Sequence, residues 1–214
     1  MRKFTTMTIF VLCTLLVQRT FAQQTDADRL GMAIEYFQGG KYHEALLLFE
    51  RLDQAYQLNP RFRAYMGVCY YYEWSYEQAC QYLDATIPLL GEFSPHERSV
   101  YYYSDAESHF NLKEYDKSIP LYEEFLNVCY DNEKPEALFH LGFCYIFLND
   151  YHNARDYFES SLAYYQRFRN TADQQPRIQQ IQNMILGCND SLRQDSLPTL
   201  PSDTISSEKQ KKNS

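Results

Sequence analysis

Four short segments of the chain share one pattern: a polar residue, a tyrosine, two variable residues and a small residue. They are Lys41-Tyr42-His43-Glu44-Ala45, Ser75-Tyr76-Glu77-Gln78-Ala79, Glu114-Tyr115-Asp116-Lys117-Ser118 and Asp150-Tyr151-His152-Asn153-Ala154. Their small residues lie 34, 39 and 36 positions apart. Twelve positions before each stands another small residue, Ala33, Gly67, Ala106 or Gly142, and three after that a ring, Tyr36, Tyr70, His109 or Tyr145. Four positions after Ala45, Ala79, Ser118 and Ala154 stand the large residues Phe49, Leu83, Tyr122 and Phe158. A period of this length marks stacked supersecondary units, each unable to bury its apolar face alone. Small residues let two helix backbones approach closely, and the large residue fills the space one turn further on.

This pattern resembles the tetratricopeptide repeat, a helix-turn-helix unit of about 34 residues, over residues 26 to 168. The resemblance implies an all-α fold, an α-solenoid of about four helix pairs with a C-terminal capping helix. Apolar spacing predicts first helices over about 26–38, 60–73, 98–111 and 135–148. Second helices are predicted over about 42–56, 76–89, 115–129 and 151–167. The repeats then run about 26–59, 60–93, 99–132 and 135–168, inside a domain spanning 23–190. Gly39-Gly40 suits a left-handed helix end. Asn59-Pro60 and Lys134-Pro135 each stop one helix and open the next. Copy three departs from the pattern. Asp105 stands where the other copies have Met32, Met66 and Leu141, His109 replaces a tyrosine, and Ser118 replaces an alanine. Either this pair packs loosely, or polar groups meet across the seam. Beyond Phe168, Ile178, Ile181 and Ile185 recur at helical spacing after Pro176. They predict a solvating cap over about 176–187 that stops at Gly187. Residues 191–214, rich in Ser, Thr, Pro and charge, read as a disordered tail.

The first 22 residues stand apart. Met1-Arg2-Lys3 is a basic start, Ile9 to Val17 an apolar run, and Thr20-Phe21-Ala22 a site for cleavage. That arrangement predicts a signal peptide over 1–22 and an exported protein, periplasmic or secreted, with a bacterial periplasm expected. The run is about half the ~20 residues a membrane span needs, so no span is expected after cleavage. The formal charge of −8 becomes −11 once Arg2, Lys3 and Arg19 are removed. An acidic chain without a basic stripe excludes nucleic acid and anionic lipid as partners. Cys69, Cys80, Cys129, Cys144 and Cys188 remain. The odd number and the lack of a C-x-x-C predict mostly buried small hydrophobes, although export leaves room for one disulfide.

The chain holds 20 Tyr and 14 Phe against one Trp. In tetratricopeptide proteins certain positions of each first helix line the concave face. By the resemblance these positions include Leu30, Ile34, Phe37, Tyr71, Tyr72, Tyr103, Phe110, Phe139, Phe143 and Phe147, with Glu107 among them in copy three. An apolar stripe of this kind predicts a groove for a protein or peptide with apolar segments, extended or helical. The alternatives are rings packed inside the solenoid, or a groove filled by the chain's own Leu197 and Leu200 or by a second copy in a homodimer. Positions where carboxylate-clamping members carry Lys, Arg and Asn hold Leu30, Ile34, Tyr65, Tyr103 and Ser104, so a chaperone-tail clamp is not expected. No His-Glu-x-x-His, Gly-rich phosphate loop or metal-ligand cluster stands out, so neither an enzyme nor a metal or cofactor is expected. His43 and His152 read as solvated, His109 as a core residue, and His140 as lying near the groove. Two other readings are a structural subunit of a cell-envelope assembly and a glycan-binding helper whose rings stack sugars.

Overall fold

The computed structural model describes residues 26–196. The expected leader and the tail beyond residue 196, including Leu197 and Leu200, lie outside the described residues. The helices are α1 (residues 26–38), α2 (Tyr42–Tyr56), α3 (Pro60–Tyr72), α4 (Tyr76–Thr86), α5 (Pro95–Asn111), α6 (Tyr115–Val128), α7 (Lys134–Phe147), α8 (Tyr151–Phe168) and α9 (Gln175–Ser196). The described residues contain no strand. Helices pair as α1/α2, α3/α4, α5/α6 and α7/α8. Each second helix packs on the next first helix, and α3 also touches α5 directly. The architecture is an all-α solenoid.

One backbone device closes every pair. Gly40, Trp74, Lys113 and Asn149 occupy the same turn position and have φ of 71°, 59°, 64° and 60°. The amide that follows each donates to the carbonyl five positions earlier. These bonds are Lys41 to Tyr36 (2.8 Å), Ser75 to Tyr70, Glu114 to His109 and Asp150 to Tyr145 (each 2.9 Å). A left-handed residue with such a bond satisfies carbonyls that the helix end leaves free. Side chains cap three starts. Asn59 accepts from the Phe62 amide, Ser94 from Glu97 and Asp150 from Asn153, and Pro60, Pro95 and Pro135 sit in first turns.

Within each pair the small and large residues mesh. Ala45, Ala79, Ser118 and Ala154 are fully buried, as are Phe49, Leu83, Tyr122 and Phe158. A Cβ on Gly67 would lie 2.6 Å from Leu83 Cγ, and one on Gly142 2.5 Å from Phe158 Cε1. Glycine is required there because the partner side chain occupies the space a methyl would take. Ser118 keeps its buried hydroxyl satisfied by donating to the Ala106 carbonyl at 2.8 Å.

Three differences from expectation have physical causes. Copy two ends early, at Thr86, and passes through a 3-10 turn over Ile87–Leu89 that contains Pro88; proline cannot donate to a continuing helix. Helix α5 starts at Pro95, capped by Ser94, rather than near 98. Helix α9 does not stop at Gly187 but runs to Ser196, so residues 191–196 are helical rather than tail. An interior glycine costs a helix only about 1 kcal/mol, and the apolar face continues past it at the fully buried Cys188. With Ile178 and Ile181, Cys188 covers Phe139, Phe158 and Tyr165. Arg177 anchors the cap by donating to Glu136 at 2.9 Å.

All five described cysteines are free, four of them buried. No helix among the described residues is long and apolar enough to cross a membrane.

Candidate functional site

The first helices carry the rings expected at a groove, and the structure sorts them by access. Leu30, Ile34 and Phe37 are half-buried against the core of copies one and two. Tyr71, Tyr103, Phe110 and Phe143 are also half-buried. Tyr72 and Phe147 are 49 % and 51 % exposed. Phe139 corrects the sequence reading. It is 2 % exposed and lies under the Arg177 guanidinium, 4.3 Å from its ring centroid. Helix α9 shields it, so a partner cannot reach it.

The rings stack in the same way in two of the three seams between copies. Phe37 stacks on Tyr65 at 4.2 Å and Tyr42 on Tyr72 at 3.9 Å. At the equivalent positions of copies three and four, Phe110 stacks on His140 at 5.1 Å and Tyr115 on Phe147 at 4.6 Å. The middle seam breaks the ladder, because copy three places Ser104 and Asn111 opposite Tyr71 and Tyr76. Beside this break lies Glu107, 6 % exposed. The Tyr122 hydroxyl donates to its carboxylate, and His140 Nδ1 pairs with it. Burial first, and then the Glu107 charge, hold the Tyr71 and Tyr103 hydroxyls far above their usual pKa. They therefore remain neutral donors at any physiological pH. His140 thus belongs to a polar floor beneath the rings, a role the repeat register alone did not give it.

A second polar group lies between α4 and α5, and it corrects the expectation that no metal-ligand cluster exists. One donor atom each of Cys80, Asp105 and His109 lies within 4.8 Å of the others, and all three residues are buried. His109 Nδ1 donates to the Glu114 carboxylate at 2.7 Å. Its Nε2 stands 3.4 Å from Asp84 Oδ1 and 3.7 Å from Asp105 Oδ1. Among the described residues, neither Asp105 oxygen accepts a hydrogen bond. Burial, reinforced by the Asp84 charge, raises the Asp105 carboxyl to about 8, and the neighbouring Cys80 thiol opposes that rise. A buried polar group without a partner costs about 1–3 kcal/mol, and more when charged. Copy three therefore does not pack loosely, since its polar residues meet across the seam.

A family model described as the tetratricopeptide repeat matches residues 99–167, the third and fourth helix pairs. This part of the chain is a tetratricopeptide-repeat region. Solved structures of the protein MamA share the chain's fold. MamA AMB-1 is 15% identical with a TM-score of 0.57, covering 81% of this chain and 94% of its own. MamA MSR-1 is 14% identical with a TM-score of 0.56, covering 80% and 99%. A MamA chain from Desulfovibrio magneticus RS-1 is 13% identical with a TM-score of 0.53, covering 80% and 97%. At these identities the likeness concerns the fold alone. No curated protein matches the chain. In tetratricopeptide terms, the exposed rings and Glu107 lie on first helices, whereas the Cys80–Asp105–His109 group sits between one second helix and the next first helix.

Proposed function

We propose that the chain is an exported protein-interaction scaffold whose first-helix face receives an apolar segment of another polypeptide. The observation that carries this reading is the pair of half-exposed rings, Tyr72 and Phe147, at equivalent ends of α3 and α7. Each stacks on the tyrosine that opens a second helix and also meets a ring of its own helix, Tyr71 at 5.0 Å for Tyr72 and Phe143 at 6.3 Å for Phe147. Held flat by Tyr42 and Tyr115, these rings lose little freedom when a partner covers them, which favours aromatic anchors. Between them the ladder opens at Tyr71, whose neutral hydroxyl supplies a donor for a peptide backbone. Export rests on the basic start, apolar run and small residue of the first 22 positions.

The test uses Tyr72→Ala and Phe147→Ala, alone and together. Neither side chain is buried, so helicity and melting should hold. Mature chain immobilised in envelope extract should recover a specific protein, and the double variant should lose at least tenfold in affinity for that purified partner, as expected for two hot-spot rings. Equal binding by the folded double variant rejects the face as the receptor surface. A monomer–dimer equilibrium weakened by the same variants would identify a second copy as the occupant.

A further inference from the structure

We infer that Cys80, Asp105 and His109, with Asp84 at the rim, form a binding site for a zinc-class divalent metal ion between copies two and three. The inference is independent of the groove.

Cys80 and Asp84 are four residues apart on α4, and Asp105 and His109 are four apart on α5. Residues at that spacing share a helix face, and α4 packs against α5. Comparison of the three seams shows how specific the arrangement is. At the positions of Cys80, Asp105 and His109, the first seam has Leu46, Met66 and Tyr70, and the third has Ile119, Leu141 and Tyr145. The acid at the position of Asp84 is common to all three, as Glu50 and Glu123 in the others. In the first seam it accepts from the Tyr70 hydroxyl at 2.6 Å. The middle seam alone exchanges three apolar or phenolic side chains for a thiol, a carboxyl and an imidazole, all converging on one point.

The geometry suits a metal. Zinc bonds of about 2.0–2.3 Å in a tetrahedron separate ligand atoms by roughly 3.3–3.8 Å. The 3.4 Å and 3.7 Å separations at His109 Nε2 fall in that range, and Cys80 Sγ lies within 4.8 Å. Ionised Glu114 can only accept, so His109 Nδ1 donates to it, and in the neutral imidazole that a metal requires the Nε2 lone pair faces the carboxylates. That is the orienting contact metal-bound histidines characteristically make. A metal ion at this point would draw on the Nε2 lone pair and the carboxylate oxygens together. The fully buried Asp105, whose oxygens accept no hydrogen bond among the described residues, points to the same place. Thiolate and imidazole together favour zinc over magnesium or calcium. Asp84, 58 % exposed, or a water completes the shell on the solvent side. A bound ion would clamp copy two to copy three where the 39-residue interval interrupts the repeat.

Full-length chain, kept reduced, stripped with EDTA and dialysed, is titrated with cobalt(II). One equivalent should give a near-ultraviolet thiolate-to-cobalt band and tetrahedral visible bands, both lost when zinc is added. Glu114→Gln should weaken cobalt binding 10–100-fold, and Cys80→Ser should abolish the charge-transfer band, whereas Cys144→Ser, at another buried thiol, should leave it. The triple variant Cys80→Leu, Asp105→Met, His109→Tyr copies the first seam. It should fold and be blind to metal. Absence of the band in folded wild type overturns the site, as does its persistence in Cys80→Ser or in the folded triple variant. If Cys80→Ser fails to fold by circular dichroism, the wild-type titration and the triple variant still decide.

Discussion

Trp74, the single tryptophan, is 81 % exposed and holds φ at 59° in the turn position that Gly40 fills in copy one. A side chain in the left-handed region costs about 1–2 kcal/mol, and a glycine there gives back roughly 0.5–1 in unfolded-chain entropy. Because the exposed ring loses almost no burial, Trp74→Gly should stabilise the fold by about 0.5–1 kcal/mol in denaturant unfolding. A lower midpoint would mean that the ring contributes packing its exposure does not show. At this scale the sequence reading succeeded where one side chain answers to one neighbour. Gly67 and Gly142 were small because Leu83 and Phe158 stand in the way. It missed the group of Cys80, Asp84, Asp105 and His109. Asp105 and His109 looked like isolated departures from a repeat and Cys80 like a small hydrophobe, and the common point of the four exists only once α4 and α5 are placed in register. Phe139 was misplaced for the opposite reason. It has the same register as Leu30 and Tyr103, but α9 covers it.

Helix positions were readable because two signals coincide at almost every end: apolar periodicity, and a turn residue or proline that the backbone requires. Where one signal had to be weighed against packing, the local rule lost. Gly187 reads as a stop, yet α9 continues for nine residues to Ser196 because Cys188 is buried one position on. Nothing lies within 4 Å of a Cβ built on Gly187, and the residue is exposed without a left-handed φ. Gly187→Ala should therefore raise stability by about 0.5–1 kcal/mol through helix propensity alone, read as a higher melting temperature with unchanged helicity. A destabilised variant would show that α9 needs to bend there.

In the whole molecule, apolar contact is divided into clusters, and α5 joins two of them. Its first half gives Tyr101 to the core of copies one and two, whereas Ala106, little more than a turn later, belongs to the core of copy three and α7. Beside this junction lies the polar seam of Asp105 and His109. Solenoid stability is close to a sum of unit and interface terms, so the coupling of the two halves depends on few side chains. Tyr101 is the largest of them. It is 2 % exposed, it packs beside Tyr65, and its hydroxyl donates to Glu97, which also takes the two-pronged bond from Arg61. Tyr101→Ala should cost about 3–5 kcal/mol, as for other buried rings. It should also uncouple the halves. Hydrogen exchange in metal-stripped protein would then show residues 26–90 and 95–196 opening at different free energies, where the wild type opens them together. Tyr101→Phe keeps the ring but loses the bond to Glu97, so it should lower stability by about 1 kcal/mol and leave the halves coupled. If Tyr101→Ala unfolds in one transition with coincident probes, the link between the halves lies elsewhere, and the Arg61–Glu97 pair is the next side-chain contact that could carry it.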